Sequence, residues 1–80
     1  MYRITITLTE ERYLDEAYYD LYKLIMKNKL ICGSIVKCID SILPSIVISD
    51  IPHNKIWEFE DMVKRELIGY DVLMIEVIGE

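Results

Sequence analysis

Apolar and polar residues alternate at the start of the chain, in the segment Tyr2-Arg3-Ile4-Thr5-Ile6-Thr7-Leu8. A period of two, with β-branched residues throughout, is typical of a strand that has one buried face and one more polar face. The segment therefore predicts a central strand, with helices packed on its apolar side.

The next segment changes to helical spacing. Thr9 precedes Glu10 and Glu11, a pattern typical of a helix N-cap followed by acidic residues in the first turn. Apolar residues then recur three or four positions apart: Leu14, Ala17, Leu21, Leu24 and Ile25. This spacing predicts an amphipathic helix that ends near Asn28.

The predicted helix also carries four tyrosines: Tyr13, Tyr18, Tyr19 and Tyr22. Tyr18 and Tyr22 are expected to flank the buried stripe, and Tyr19 to be exposed. Such a flank is usually packing at the rim of the core, but aromatic residues are also enriched in interface hot spots. Tyr18, Tyr19 and Tyr22 are therefore the second candidate for a partner surface.

The middle of the chain predicts a hairpin. Residues 30–39 are rich in β-formers but are interrupted at Gly33-Ser34, which indicates a bulge or a bend. Residues 40–45 carry turn signals, and residues 46–49 form a second short apolar run. A turn at Gly33-Ser34 is the alternative, although the strands beside it would then be very short.

A second helix and a last strand complete the pattern. The helix is predicted to begin at Asp50-Ile51-Pro52, because proline is favoured in a first helical turn, and to be capped by Gly69. Its apolar stripe consists of Ile56, Phe59, Val63 and Leu67. Residues 71–78 hardly alternate, so both faces of this strand are expected to be covered.

The element order is strand, helix, strand, strand, helix, strand. This is the split βαβ pattern of the ferredoxin-like α+β fold. It predicts one domain over residues 1–80, with a four-stranded antiparallel sheet in the order 4-1-3-2 and both helices on one face.

Composition changes this picture in one respect. The 80 residues are 52% hydrophobic and carry a net charge of −5. A chain of this size buries only about 60% of its unfolded surface. We therefore expect a second chain to cover some apolar surface, and a homodimer is the default because twofold pairs are the commonest oligomers. The scattered basic residues argue against direct nucleic-acid binding.

No apolar run reaches the roughly 18 residues that span a bilayer, and the N-terminus lacks a signal-peptide core. We expect a soluble cytoplasmic protein with no membrane contact.

The chain has no Gln and many charged residues, which is a hyperthermophile tendency. A thermophilic archaeon, or an archaeal virus in its host cytoplasm, is therefore our hypothesis for the source, although AT-rich codon usage would give much the same pattern.

Two cysteines, Cys32 and Cys38, lie six positions apart in the predicted second strand. At about 3.3 Å per residue they would be roughly 20 Å apart, beyond the reach of a disulfide within one chain. They are interpreted as small buried apolar residues, and an intersubunit disulfide is the alternative.

Sites for the known chemistry of this fold are missing from the sequence. The outward positions of the first strand, Arg3, Thr5 and Thr7, provide no stacking platform for RNA bases. The single histidine, His53, has only Asp50 nearby as a partner, so neither a catalytic dyad nor a metal site is predicted. We expect no enzymatic activity and no cofactor.

What remains is the sheet face away from the helices. Thr5, Thr7 and Val47 are expected there, together with either Val72, Met74 and Ile78 or Leu73, Ile75 and Val77. The first set is taken as the candidate interface. The sequence thus predicts a homodimeric regulatory protein that binds another protein, for example by inhibiting a basic, nucleic-acid-handling partner.

Two other classes of function stay open. A small-molecule sensor would hold its ligand at a dimer interface. A metal-dependent hydrolase or nuclease would be assembled across a dimer from acids such as Asp50 or Asp71.

Overall fold

A computed structural model describes residues 1–39 and 42–79. Its strands are β1 (Tyr2–Leu8), β2 (Ser34–Cys38), β3 (Ser45–Ile51) and β4 (Val72–Gly79), and its α-helices are α1 (Leu14–Lys27) and α2 (Ile56–Glu66). Short 3-10 turns at Glu11–Tyr13 and His53–Lys55 lead into the two helices, and a third, Leu67–Gly69, follows α2.

The strands form one antiparallel sheet in the order β2-β3-β1-β4. This is the predicted order read from the opposite edge. β1 lies in the interior of the sheet, as its alternation predicts, and pairs with β3 on one side and with β4 on the other.

The core lies on one side of the sheet. Ile4, Ile6 and Leu8 of β1 are buried, and so are Ile46, Ile48 and Ile51 of β3. The helices contribute Leu14, Ala17, Leu21, Ile25, Ile56, Phe59, Met62 and Val63 to the same cluster. Both helices therefore cover one face of the sheet, because a single set of alternating strand residues contacts them.

Three predicted boundaries are wrong. Thr9 does not cap α1, because its hydroxyl and its backbone N–H both donate to the carbonyl of Asp71, at 3.2 and 3.0 Å. Asp50 and Ile51 belong to β3 and not to the second helix. Cys32 precedes β2, which begins only at Ser34. The predicted turn residues Asp40 and Ser41 lie outside the described residues.

The two faces of β4 also differ from the prediction. Val72 and Ile75 pack against the core, whereas Leu73 and Met74 are exposed. The pairing of β4 with β1 shifts at Leu73, which is the extra residue of a β-bulge. The bulge hides the alternation of the strand, so the strand resembles one that is covered on both faces.

The C-terminus of α1 takes the form of a Schellman motif. The backbone N–H of Leu30 donates to the carbonyl of Ile25 at 3.0 Å, and the backbone N–H of Lys29 donates to the carbonyl of Met26 at 3.2 Å. Lys29 adopts a left-handed conformation with φ of 54°, which favours glycine. Gly69, which was predicted to cap α2, does not have a positive φ.

We expect Lys29→Gly to raise the free energy of unfolding by about 0.5 to 1 kcal/mol, because glycine takes this conformation without steric cost. Urea titration followed by circular dichroism measures the change. Lys23→Gly, at an exposed position in the interior of α1, is the control and should lower stability by a similar amount. A lower urea midpoint for Lys29→Gly would contradict this account of the motif.

A second residue with a left-handed backbone conformation, Asp50 of β3, lies beside the start of β2. Asp50 has φ of 55° and sits at a shift in the pairing of β3 with β1. Opposite it, the N–H of Gly33 donates to the carbonyl of Ser49 at 2.9 Å. A Cβ atom on Gly33 would come within 2.6 Å of the Cβ of Asp50, closer than two non-bonded carbon atoms approach in proteins. Gly33 therefore allows this bulge to pack against the start of β2.

We expect Gly33→Ala to destabilise the fold by about 1 to 3 kcal/mol, because the added methyl group collides with Asp50. In an Asp50→Gly background the same substitution should cost much less, since the colliding side chain is gone. A double-mutant cycle in urea measures this coupling. Equal costs in the two backgrounds would rule out the contact as the cause.

Candidate interaction surface

The face of the sheet away from the helices carries three side chains from each of the four strands. We call this surface the open face. Its residues are Arg3, Thr5 and Thr7 of β1, Ser34, Val36 and Cys38 of β2, Ser45, Val47 and Ser49 of β3, and Met74, Glu76 and Ile78 of β4.

The open face has an unusual composition for a surface. Only Arg3 and Glu76 among its twelve residues are charged, whereas 29% of the whole chain is charged. Val36 and Met74 are 45% and 47% exposed. An antiparallel sheet with one solvated face normally shows polar residues there. The hydroxyl groups of the Ser and Thr residues supply some polarity, but the net charge of the face is zero.

Most of the residues predicted for the sheet interface lie on the open face: Thr5, Thr7, Val47, Met74 and Ile78. Val72 does not, and this placement is corrected: it pairs with Leu8 and packs against the core. The bulge at Leu73 is the reason, because one extra residue reverses the side of the sheet on which earlier residues lie.

Sequence reasoning missed the contribution of β2. Val36 pairs with Val47 on the open face, and Cys38 pairs with Ser45 at its end. The run from Leu30 to Ile39 is apolar on both sides, so the sequence gives no alternation from which to assign faces. The pairing with β3, and no signal within the run itself, assigns Val36 and Cys38 to the open face.

The tyrosine flank lies on the helix side and does not join the open face. Tyr18 donates from its hydroxyl to the carbonyl of Ile35 at 3.3 Å. Lys37 lies 5.2 Å from the centroid of the Tyr18 ring and forms an ion pair with Asp15 at 2.7 Å. These contacts fix α1 against β2, so Tyr18 has a structural role.

Tyr19 and Tyr22 remain exposed beside it, at 59% and 43%. Trp57 on α2 is more exposed still, at 75%. A depression of about 500 Å³ lies between Tyr22, Met26 and Glu66. These residues are on the helix side and do not belong to the open face.

Both cysteines are free thiols of intermediate exposure. Cys38 lies at the end of the edge strand β2. Cys32 packs against the core, and burial together with the nearby charge of Asp50 raises the pKa of its thiol. The intersubunit disulfide stays a prediction.

The residues considered for catalysis are dispersed. His53 is exposed, and its ring lies 5.3 Å from that of Tyr2. Asp50 is at the β3 bulge, and Asp71 immediately precedes β4. Among residues 1–39 and 42–79, no three His, Cys, Asp or Glu side chains are grouped closely enough to hold a metal ion.

Comparison of the sequence with protein-family models and with curated proteins finds no match. In the part of the chain that the structure describes, neither helix has the length and apolar character needed to cross a membrane.

A polar contact joins α1 to the segment before β4. Tyr70 donates from its hydroxyl to the carboxylate of Asp20 at 2.6 Å, and its ring meets Tyr13 edge to face at 6.2 Å between centroids. Partial burial, the hydrogen bond to Asp20 and the negative charges of Glu16 and Glu66 raise the pKa of Tyr70. The Tyr70 hydroxyl therefore loses its proton at a higher pH in the folded chain than in the unfolded chain.

This shift predicts a loss of stability in alkali. The unfolded chain releases the Tyr70 proton near pH 10, below the pKa in the folded chain, so ionisation favours unfolding as the pH rises above about 10. We expect Tyr70→Phe to be less stable at pH 8 by about 1 kcal/mol, because it loses the hydrogen bond. Its stability should then fall less than that of the wild type between pH 9 and pH 11.

Urea midpoints at each pH measure both effects. Tyr19→Phe is the matched control, since it removes the hydroxyl of an exposed tyrosine on α1, the helix that carries Asp20. A Tyr70→Phe profile parallel to that of the wild type would show that Tyr70 does not cause the alkaline loss.

Proposed function

We propose that the chain is a non-enzymatic interaction protein of the ferredoxin-like fold, and that it works as a symmetric homodimer through the open face of its sheet. The composition of that face supports the proposal. It combines exposed apolar side chains with hydroxyl groups, and it has one positive and one negative charge. Contacts that exclude water from Val36 and Met74 would stabilise a complex.

The charge balance favours a second copy as the occupant. The whole chain carries a net charge of −5, so most surfaces of two copies repel one another. The open face has no net charge and does not oppose its own approach. A basic partner would find only Glu76 there, so an inhibitor of such a partner would have to use the acidic residues outside this face.

The size of the face is sufficient for a modest dimer. Four strands about 4.8 Å apart and about seven residues long cover roughly 19 by 23 Å, or about 440 Å² of flat area. Two such faces give about 900 Å² before the relief of the side chains is added, close to the roughly 1,000 Å² of a specific interface. A dimer that dissociates in the micromolar range agrees with this area.

The solution mass tests the proposal. In reductant, light scattering on a sizing column should give twice the 9.5 kDa of the chain. Val36→Glu, which places a charge at an exposed position of the open face, should shift the protein to monomer. Trp57→Glu makes the same change on α2 and should leave the dimer intact.

Circular dichroism checks that each variant is folded. A wild-type monomer at about 100 μM would refute the homodimer. A dimer that dissociates in Trp57→Glu but persists in Val36→Glu would place the interface on the helix side.

A further inference from the structure

The two charges of the open face are close neighbours. Arg3 pairs with Ile78, and Thr5 pairs with Glu76, so Arg3 and Glu76 lie on adjacent strands and are offset by two residues. With strands about 4.8 Å apart and alternate residues about 6.6 Å apart, their Cα atoms are separated by about 8 Å along a diagonal of the face.

Symmetry limits how two open faces can meet. In a face-to-face dimer the twofold axis lies between the sheets and parallel to them. In projection onto the face, the axis acts as a mirror line: each residue of one copy lies opposite the residue of the second copy whose position is the reflection of its own across that line. An axis along the strands through the middle of the face would set Glu76 against Val36 of the second copy. An axis across the strands would set Glu76 against the same residue of the second copy. The first buries a carboxylate without a partner, and the second brings like charges together.

A diagonal axis solves both problems. The line midway between Arg3 and Glu76 sets each of them opposite the other residue in the second copy, and two ion pairs form. If the open face is treated as a flat grid, with strands about 4.8 Å apart and alternate residues about 6.6 Å apart, this line passes within about 1 Å of the centre of the face. The two faces therefore also overlap fully. Nothing in the positions of the two charges alone requires this coincidence.

The same axis suits the apolar residues. It runs along the diagonal of Cys38, Val47, Thr5 and Ile78, each within about 2 Å of the line, so these four residues would meet their own copies. The strands of the two sheets would cross at about 70°, nearer to the orthogonal than to the aligned class of sheet packing.

We propose that reciprocal ion pairs, Arg3 of each copy with Glu76 of the other, set the orientation of the homodimer. This inference rests on the proposed function. A guanidinium group has five N–H donors, so Arg3 can bind a second carboxylate in addition to its contacts within its own chain. The pairs favour this arrangement because an axis along the strands leaves Glu76 unpaired and an axis across them sets Glu76 against its own copy.

Charge reversal tests the orientation. Arg3→Glu alone creates two contacts between negative charges in the dimer, and Glu76→Arg alone creates two between positive charges. Each variant should raise the dimer dissociation constant on the order of tenfold or more. An equimolar mixture of the two variants should dimerise again, because every charge then meets its opposite only in the mixed pair.

The measurements are sedimentation velocity for the dissociation constants and native mass spectrometry for the 1:1 composition of the mixed dimer. The double variant Arg3→Glu with Glu76→Arg should recover as a homodimer for the same reason. Glu58→Arg on α2 is the control for charge alone and should leave the dissociation constant within about twofold, as expected for a charge outside the interface.

A second measurement covers the case in which Arg3→Glu does not fold. Arg3→Lys keeps the charge and supplies an amine, which a zero-length carbodiimide reagent can couple to Glu76 of the other copy. We expect a covalent dimer on a denaturing gel, and its loss when Glu76→Gln is added.

The outcomes separate the two proposals. A monomeric wild type would overturn both. A wild-type dimer that Val36→Glu dissociates, but whose charge-reversed variants do not recover when mixed, would leave the homodimer and overturn this orientation. Charge-reversed variants that dimerise as well as the wild type would also overturn it.

Discussion

The two neighbouring strands and both helices depend on the burial of β1. This strand is hydrogen-bonded on both sides, to β3 and to β4, and its apolar side chains Ile4, Ile6 and Leu8 are fully buried. Residues of both helices belong to the same cluster. A polar substitution at Ile6 would therefore disturb the two strand pairings and the packing of the helices together, because all of them share this set of side chains.

One consequence of this arrangement is the difference between the two sides of the sheet. With both helices on one side, the other side carries no covering element in the described residues, although its residues are mostly apolar or hydroxylated. The helix side holds polar contacts that fix its elements, such as Lys37 with Asp15 and Tyr70 with Asp20. The open face has two charges and is the surface on which the proposed dimer depends.

Two bulges adjust the strands to this one-sided core. The irregularity at Asp50 changes the spacing of buried residues in β3 from two, between Ile46 and Ile48, to three, between Ile48 and Ile51. The bulge at Leu73 does the same in β4 and keeps Val72 against the core. Each bulge lets an additional apolar residue reach the buried side, at the cost of a local break in the ladder.

The sequence by itself determined the elements whose pattern is regular. The alternation of residues 2–8 and the helical spacing of Leu14, Ala17 and Leu21 follow directly from which side chains avoid water. The order of the elements, with short connections, then restricted the sheet to the observed strand order. Thr5, Thr7 and Val47 could be assigned to the open face because their neighbours alternate with them.

The tertiary structure decided what depends on contacts between distant segments. Thr9 forms hydrogen bonds with the carbonyl of Asp71, 62 residues away. Its side chain therefore contacts the segment before β4 and does not cap α1. Val72 was assigned to the wrong side because the position of a bulge depends on the partner strand, and the nearly continuous apolar run of β4 does not show where the bulge lies. The closeness of Arg3 and Glu76 is likewise a matter of register between the first and last strands, which the sequence pattern alone does not fix.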